Sequence, residues 1–518
     1  MNIPGNWIAC EIAECGMRNE RQHHKNRNNM GKRLMGQFIK GILFLSICSA
    51  SLLTFFIWSA EANQTNPMMP PLLEGKARDC LECHRYPNVE TNAGAFASQV
   101  FCLECHQKDS CTKTVHKEKV SLKIDPEDIR KGRHAFVGCI QCHTDVARSP
   151  HQSKEGAQCL SCHPFHNGAG EIHAPHLRVR CQACHTVSKF VYLDKESNEV
   201  RPAHTNDKKM PIGLTDHALQ DTDRADFCQR CHTQENKVGA ADIILPSKSF
   251  ICIMCHDVSL TMGGPVFWVA FILLVIGILA TVHFWFQGSV QGEEKSMHRK
   301  IGFVSESIWG TIFSSDFFTI LKTILLDVIL QRRLLQESVK RWFIHSLIFL
   351  PILFRFLLSV FTFFVSRIGP ESSLAVILID KNSGFMAFVN DLCGILILLG
   401  IVLAALQRFI IKPPHVIAEA KDNLALLLIG LLVFLGFLAE GARILMTQLP
   451  PEAGLYSFIG YPLSGFLSLT TIQWTAVYPY IWWAHAVVGA IFVAYLPFGK
   501  MRHMFNTPLT LLLNYKMK

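Results

Sequence analysis

The chain has 518 residues, of which 49% are hydrophobic and 18% are charged, and its formal net charge is +9. This apolar composition is high for a soluble protein and indicates a membrane protein with a soluble insert. The charge does not indicate nucleic-acid binding, because Lys and Arg lie mostly in short segments beside apolar runs, where they set membrane topology. A disulfide framework is excluded as well, since most of the 19 cysteines belong to one repeated pattern.

The chain begins with a polar, basic segment, residues 1–37, followed by an apolar run at residues 38–60. The run is longer than the hydrophobic core of a typical signal peptide, which favours an uncleaved membrane anchor. A signal peptide remains the alternative, because Ala60, Glu61 and Ala62 form a small-residue cleavage site. With an anchor, residues 1–37 are a cytoplasmic leader.

Residues 63–262 contain seven copies of the pattern Cys-x-x-Cys-His. This pattern is the c-type haem attachment site, in which two thiols bond to the haem vinyl groups and the histidine ligates the iron. Zinc is the alternative, but zinc sites do not require a histidine directly after each second cysteine. The motif residues are Cys80, Cys83, His84, Cys102, Cys105, His106, Cys139, Cys142, His143, Cys159, Cys162, His163, Cys181, Cys184, His185, Cys228, Cys231, His232, Cys252, Cys255 and His256.

Seven haems in so short a segment leave too little chain for an ordinary core around each porphyrin. We therefore predict a loop-rich heptahaem domain whose core consists largely of the haems. Eight further histidines offer second axial ligands, and bis-histidine haems favour electron transfer over catalysis. Surface positions are the alternative for any one of them. These eight are His116, His134, His151, His166, His173, His176, His204 and His217.

Five apolar runs follow, at about 265–287, 342–366, 385–410, 423–446 and 481–500, and each is long enough to cross a bilayer as a helix. The fold is therefore mainly α, with a membrane domain at 265–505. Lys and Arg are frequent in the loop 288–341 and also occur in the loop 411–422 and around the end of the last run, at Lys500, Arg502, Lys516 and Lys518, whereas 447–480 contains none. The positive-inside rule then places these loops and the tail 506–518 in the cytoplasm and the haem domain in the periplasm.

Three histidines are associated with the predicted membrane helices. His345 lies near the start of its run, and His485 and His503 are eighteen residues apart. On one continuous helix this spacing is five turns, so both side chains would share a face at opposite membrane depths. Such a helix can serve two stacked b haems, although interfacial histidines are the alternative.

A family resemblance supports the haem interpretation. Residues 326–334 and 341–345, with the segment 485–503, resemble the second and last helices of the respiratory nitrate reductase gamma and heterodisulfide-reductase-type cytochrome b family. The resemblance implies that His345 and His503 ligate one b haem near the cytoplasmic face. In the dihaem version another histidine follows the first by ten residues, where this chain has Arg355. The number of b haems, one or two, stays open.

Ionisable residues inside a membrane are costly and are usually functional. Four of them fall in the outer halves of the predicted helices: Arg355, Asp391, Glu440 and Arg443. With His485 they form a candidate catalytic pocket for a quinol, since quinol oxidation needs proton acceptors beside an electron acceptor. The alternative is structural ion pairing between a carboxylate and an arginine.

As a whole, the chain resembles quinol-oxidising multihaem cytochromes of metal-respiring bacteria, of the inner membrane cytochrome H type. This implies menaquinol oxidation at the bacterial inner membrane, with electrons passing through the haems to periplasmic c-type cytochromes in anaerobic respiration. Two alternatives stay open: a periplasmic terminal reductase, and a membrane subunit that exchanges electrons with a cytoplasmic iron–sulfur partner. Homo-oligomerisation also stays open.

Overall fold

The computed structural model describes residues 92–115, 118–132, 134–144, 157–159, 162–163, 174–186, 190–203, 225–258, 260–287, 296–312, 317–369, 372–411, 420–504 and 506. The predicted leader, the anchor, the first haem motif and residues 507–518 lie outside this set. So do six of the eight candidate second ligands, which are His116, His151, His166, His173, His204 and His217.

Within these residues, the haem domain consists of short helices and two small antiparallel hairpins. The helices are α1 (Asn92–His106), α2 (Pro126–Arg130), α3 (Cys139–Cys142) and α4 (Cys181–His185), with 3-10 helices at Ala174–Arg178, Ala225–Arg230 and Phe250–Met254. Strand β1 (Thr112–Val115) pairs with β2 (Glu118–Ser121), and β3 (Phe190–Asp194) pairs with β4 (Glu199–Ala203). A small apolar cluster of Ala183, Val200 and Val238 packs beneath the second hairpin.

The membrane domain is helical throughout its described residues. Its helices are α5 (Pro265–Gln287), α6 (Met297–Ile312), α7 (Phe317–Thr323), α8 (Arg332–Glu337), α9 (Val339–Ile368), α10 (Ser373–Ile379), α11 (Gly384–Ala405), α12 (Ala420–Met446), α13 (Pro451–Gly454), α14 (Gly460–Leu467) and α15 (Trp474–Tyr495). Two π-helical segments, Ile324–Ile329 and Leu406–Ile411, and a 3-10 helix at Lys500–Arg502 complete it. Five helical segments among the described residues are long and apolar enough to span a membrane: α5, α9, the segment Ser373–Ile411 that contains α10 and α11, α12 and α15. The prediction of a mainly helical protein with five spans is confirmed.

Side-chain caps define where two of these spans begin. Ser338 accepts a hydrogen bond from the Arg341 backbone N–H at the start of α9, and Ser383 accepts one from the Met386 backbone N–H at the start of α11. Each serine satisfies a backbone donor that the first helical turn leaves without a partner. Most of the outward-facing side chains on α5 are apolar and exposed, as a lipid-facing surface requires.

Helix α15 ends at Tyr495, so the continuous helix assumed for His485 and His503 is wrong. Pro497 follows directly, and proline cannot donate the backbone hydrogen bond that would continue the helix. The chain turns through Gly499 into the 3-10 helix Lys500–Arg502 before it reaches His503. The eighteen-residue spacing therefore does not by itself set the relative direction of the two side chains.

The haem domain packs on one end of the helical bundle. Gly239 has a φ of 74°, and a Cβ there would collide with the backbone of Met446 at the end of α12. The backbone N–H of Asp242 donates to the carbonyl of Thr475 at the start of α15, at 3.1 Å. We call this end of the bundle the proximal end. The opposite end, where α9 begins and α15 ends, is the distal end.

Candidate functional site

A histidine pair lies at the distal end. His345 of α9 and His503 face each other with ring centroids 6.2 Å apart and ring planes at 61°. Two imidazoles on opposite sides of one metal ion, each about 2 Å from it, place their centroids about 6 Å apart. The spacing therefore fits a haem iron held between the two rings, which is the ligand set that the sequence predicts.

Gln331 orients one member of the distal pair, a role that the sequence analysis missed. Its Oε1 accepts a hydrogen bond from His345 Nδ1 at 2.9 Å, which leaves Nε2 as the nitrogen that faces a metal. The backbone of Gln331 has a φ of 52°, a conformation that non-glycine residues rarely adopt. Two neighbours stabilise this turn: Arg332 forms a two-point ion pair with Asp327, and Trp342 Nε1 donates to the Leu330 carbonyl.

Two of the candidate second ligands in the haem domain are described, and each faces the histidine of a motif. His134 lies against His163, with the two Nε2 atoms 3.3 Å apart and ring centroids at 5.6 Å. His176 lies against His232, with centroids at 6.3 Å. The Nδ1 atom of His232 is 2.9 Å from the Ala241 carbonyl oxygen, so Nε2 is the nitrogen available to iron. The structure thus brings these candidates to specific motifs.

Successive motifs are neighbours in space. The thiols of Cys102 and Cys139 interact directly, as do those of Cys159 and Cys181. Arg230, inside the sixth motif, donates to the carbonyls of Ala183 and Thr186, in and directly after the fifth motif, at 2.9 and 2.8 Å. Groups attached to these cysteines would therefore lie beside one another in chain order.

The zinc alternative gains no support from this geometry. In the part of the chain that the structure describes, no group of three or more His, Cys, Asp or Glu side chains is arranged to hold a metal ion by itself. The histidines meet in pairs instead, and a pair of trans imidazoles completes the coordination of an iron already held by a porphyrin.

Asp391 and Glu440 lie together at the proximal end, in the interior of the bundle. Asp391 is fully buried, and its Oδ2 accepts hydrogen bonds from the backbone N–H groups of Ile459, at 2.5 Å, and Gly460, at 3.2 Å. Its other oxygen, Oδ1, has no partner among the described residues. The Glu440 carboxyl interacts with Asp391 and is 3.5 Å from the Ser457 hydroxyl.

Arg443 does not form the ion pair that the structural alternative assumed. Its Nη1 donates to the Asn382 side chain at 2.6 Å, although its charge still acts on Glu440. Asp391, for its part, binds the amino end of α14 rather than an arginine. The carboxylate pair therefore keeps an unpartnered oxygen in the bundle interior, where a buried polar atom ordinarily has a partner.

Lys381, which the sequence analysis also missed, lies in the break between α10 and α11, where its charge acts on both Glu440 and Asp257. Lys248 forms an ion pair with Asp257 at 2.8 Å. Burial alone would raise the pKa of Asp257, but the charges of Lys248 and Lys381 outweigh it, so its pKa lies below the ordinary value.

The other two predicted pocket residues, His485 and Arg355, lie at the last haem motif. His485 faces His256, with ring centroids at 5.8 Å. Arg355 donates to the backbone carbonyl of Cys255 through Nη2 at 2.7 Å and Nε at 3.2 Å. The structure therefore divides the five predicted catalytic residues into a carboxylate site with Arg443 and a pair beside the seventh motif.

Comparison with known proteins identifies the membrane domain. Residues 344–517 match the family described as nitrate reductase gamma subunit. This part of the chain is similar to that family. The match includes His345, His485 and His503, the three histidines of the bundle ends. It confirms the resemblance that the sequence predicts and makes this nitrate reductase gamma-type domain a membrane electron-transfer module of the cytochrome b type.

Individual relatives extend the comparison. One subunit of the dihydromethanophenazine:CoB–CoM heterodisulfide reductase of Methanosarcina acetivorans is 26% identical over 261 residues, which are 48% of this chain and 88% of the relative. The multihaem cytochrome c subunit of menaquinone reductase from Nitratidesulfovibrio vulgaris is 24% identical over 178 residues, 34% of this chain and 69% of the relative. EtfAB:quinone oxidoreductase from Syntrophomonas wolfei is 28% identical over 138 residues, 25% of this chain and 19% of the relative. No solved structure matches significantly.

Proposed function

We propose that the protein is a bacterial inner-membrane menaquinol dehydrogenase that delivers electrons through seven c haems to periplasmic c-type cytochromes. The observation that carries this proposal is the position of the buried Asp391–Glu440 pair. The pair lies at the end of the bundle where the last haem motif packs, and the charge of Lys381 acts on both Glu440 and Asp257, the residue after His256. The proton acceptors, Asp391 and Glu440, and the first electron acceptor, the haem of the seventh motif, would then lie at the same end of the bundle.

The residues of the carboxylate site suit quinol chemistry. Oxidation of a quinol releases two electrons and two protons, and a carboxylate within hydrogen-bond reach of a hydroxyl can accept a proton. Asp391 Oδ1 has no hydrogen-bond donor among the described residues, and a quinol hydroxyl could donate to it. Protons would leave Glu440 toward the haem-domain side, where the charge of Lys381 acts and the Asp257–Lys248 ion pair lies.

The electron route follows from the neighbouring motifs. A bound haem supplies an iron that takes up one electron at a time. In this protein the motif contacts would hold such irons as neighbours for the second and third motifs, the fourth and fifth, and the fifth and sixth. The names of two relatives, a menaquinone reductase subunit and a quinone oxidoreductase, support a quinone as the membrane partner.

A second candidate function is favoured by the distal histidine pair. His345 and His503 lie at the end of the bundle away from the carboxylate site, off the direct route from quinol to the c haems. A b haem there suits exchange with a partner at the cytoplasmic face, and the heterodisulfide reductase relative is itself named as a subunit. In that case the chain is the membrane subunit of a larger complex.

The test of the main proposal removes one proton acceptor. Glu440→Gln should slow the reduction of the c haems by a menaquinol analogue tenfold or more, which is on the order expected for one lost proton-transfer group. Dithionite should still reduce all haems at the normal rate, because it bypasses the pocket. Glu452→Gln is the matched control, since Glu452 is an exposed carboxylate near the same end of the bundle.

Stopped-flow absorbance of the c bands in purified full-length protein measures both reactions. Normal quinol-driven rates in both Glu440→Gln and Asp391→Asn would exclude the carboxylate site. If His503→Ala abolished quinol-driven reduction while Glu440→Gln left it unchanged, the quinol site would belong at the distal end.

A further inference from the structure

We propose that the haem attached through Cys252 and Cys255 is inserted into the proximal end of the membrane bundle, with His485 of α15 as its second axial ligand. The proposal rests on the c-haem assignment made above and goes beyond it. His485, which has no second histidine opposite it on α9, would ligate a covalently attached haem. The bundle would then hold one b haem, at the distal end, and one c haem that is covalently attached to the soluble domain.

The ring geometry is the first argument. His256 and His485 have centroids 5.8 Å apart, with ring planes at 59°. This separation lies between those of the other three histidine pairs, which run from 5.6 to 6.3 Å. It is also about the 6 Å expected for two imidazoles on opposite sides of one metal ion. By geometry, the proximal pair is as good a bis-histidine site as the distal one.

The seventh motif is packed into the bundle rather than held away from it. Ile251, in the 3-10 helix Phe250–Met254, is 5% exposed and belongs to an apolar cluster with Phe267 of α5 and Ala486 of α15. Met254, between the two cysteines of the motif, packs against a second cluster that includes Ile397 of α11 and Phe492 of α15. A haem bonded to these cysteines is therefore surrounded by membrane helices.

His485 is already oriented for ligation. Its Nδ1 is 3.0 Å from the Leu432 carbonyl oxygen, so that nitrogen donates to the backbone and Nε2 is left for a metal. Gly436, on the same helix as Leu432, also lies beside the ring, where a Cβ would make an ordinary contact of 3.4 Å with His485 Cε1.

Arg355 explains why this haem needs no ligand from α9. Ten residues separate Arg355 from His345, about 15 Å of helix rise, so the two lie at different depths of the bundle. Two nitrogens of the guanidinium bind the Cys255 carbonyl, while Nη1 is buried and has no partner among the described residues. A haem propionate beside the motif is an anionic group that can accept from it. Arg355 would then secure the motif and its haem together.

The experiment compares His485→Ala with His503→Ala in the purified full-length protein. In His485→Ala all seven c haems should stay attached and the b-haem content should stay the same as in the unmodified protein. One of the seven c haems should change from low spin to high spin, which electron paramagnetic resonance and magnetic circular dichroism detect. Added imidazole should restore the low-spin signal. His503→Ala should instead lose the b haem and leave the c haems low spin.

Two results would overturn the proposal. One is the loss of a b haem in His485→Ala with every c haem still low spin, since His485 would then ligate a second b haem. The other is unchanged c and b spectra in both His485→Ala and His485→Met. The methionine variant keeps a ligand-sized side chain in the bundle, and it should raise the reduction potential of one c haem. These spectra do not depend on quinol turnover, so a failure of the proposed function leaves this test intact.

Discussion

The two ends of the membrane bundle each contain a histidine pair with similar ring spacing, but the two pairs take their members from different parts of the chain. At the distal end both partners, His345 and His503, belong to the membrane domain, and they face each other at 6.2 Å. At the proximal end the bundle supplies only His485, and the soluble domain supplies His256. The difference comes from α9. This helix carries a histidine, His345, near the distal end, but at the corresponding position ten residues further on it carries Arg355.

If both histidine pairs hold haem as proposed, the distal haem is held only by its ligands, whereas the proximal haem is held by covalent bonds as well. A distal haem held by two axial bonds depends entirely on them. A proximal haem bonded to Cys252 and Cys255 would remain attached even without an axial ligand, because thioether bonds to the porphyrin hold it. The two ends should therefore respond differently to the same kind of mutation.

The largest expected effect is at the distal end. His345→Ala or His503→Ala should remove the b haem completely while seven c haems stay attached, because each variant deletes one of two axial bonds. Pyridine haemochrome spectra of the purified protein measure both counts. His298→Ala is the matched control, since His298 is exposed on α6 and should leave the b band unchanged. Full b-haem content in both ligand variants would refute the distal pairing.

The comparison also requires the two ends to face opposite compartments. An alkaline phosphatase fused after Asn206 should be active, because the haem domain is expected in the periplasm. A fusion after Gln336, beside the distal end, should be inactive, because Lys and Arg are frequent in the loop 288–341. Phosphatase activity in whole cells, normalised to fusion abundance, distinguishes the two. The reverse pattern would invert the orientation and with it the proposed compartment of the c haems.

A smaller effect is expected from the pairs inside the haem domain. His176→Ala should convert one of the seven c haems to high spin and leave the b haem and the other six unchanged, since His176 faces the motif histidine His232. His134→Ala should do the same for the haem of His163. Magnetic circular dichroism counts the high-spin fraction. If neither variant shows one, these histidines do not ligate iron and the surface interpretation is correct.

The smallest effect should come from the residue behind the distal ligand. Gln331→Ala removes the acceptor that orients His345, so the b haem should bind more weakly by about tenfold or more, the usual effect of losing such a partner. Gln331→Glu restores an acceptor and should recover much of the binding. Haem retention during dilution or competition with apomyoglobin measures this. Equal retention in all three proteins would show that the packing of α9 alone orients the ring.

Some of this architecture could be predicted because it depends on short-range features. A c-type motif needs only five consecutive residues, and a membrane span needs only length and apolarity, so both were identified without knowledge of the fold. The ends of the helices were harder to predict from the sequence. The last helix ends at Tyr495 because Pro497 cannot continue it, a local effect that the periodicity argument overlooked.

The pairing of ligands is different, because it depends on which distant segments meet. Nothing in the spacing of His256 and His485 predicts that they face each other, and Gln331 and Lys381 carry no motif that would mark them. These contacts arise when the haem domain packs against α12 and α15 and the apolar residues of the seventh motif are buried between membrane helices. By itself, the sequence determined the number of membrane spans, and it predicted the haem attachment points and the orientation of the spans, because local chemistry and hydrophobic length specify them. Only the tertiary structure decided which histidines face each other, because that choice depends on packing between segments far apart in the chain.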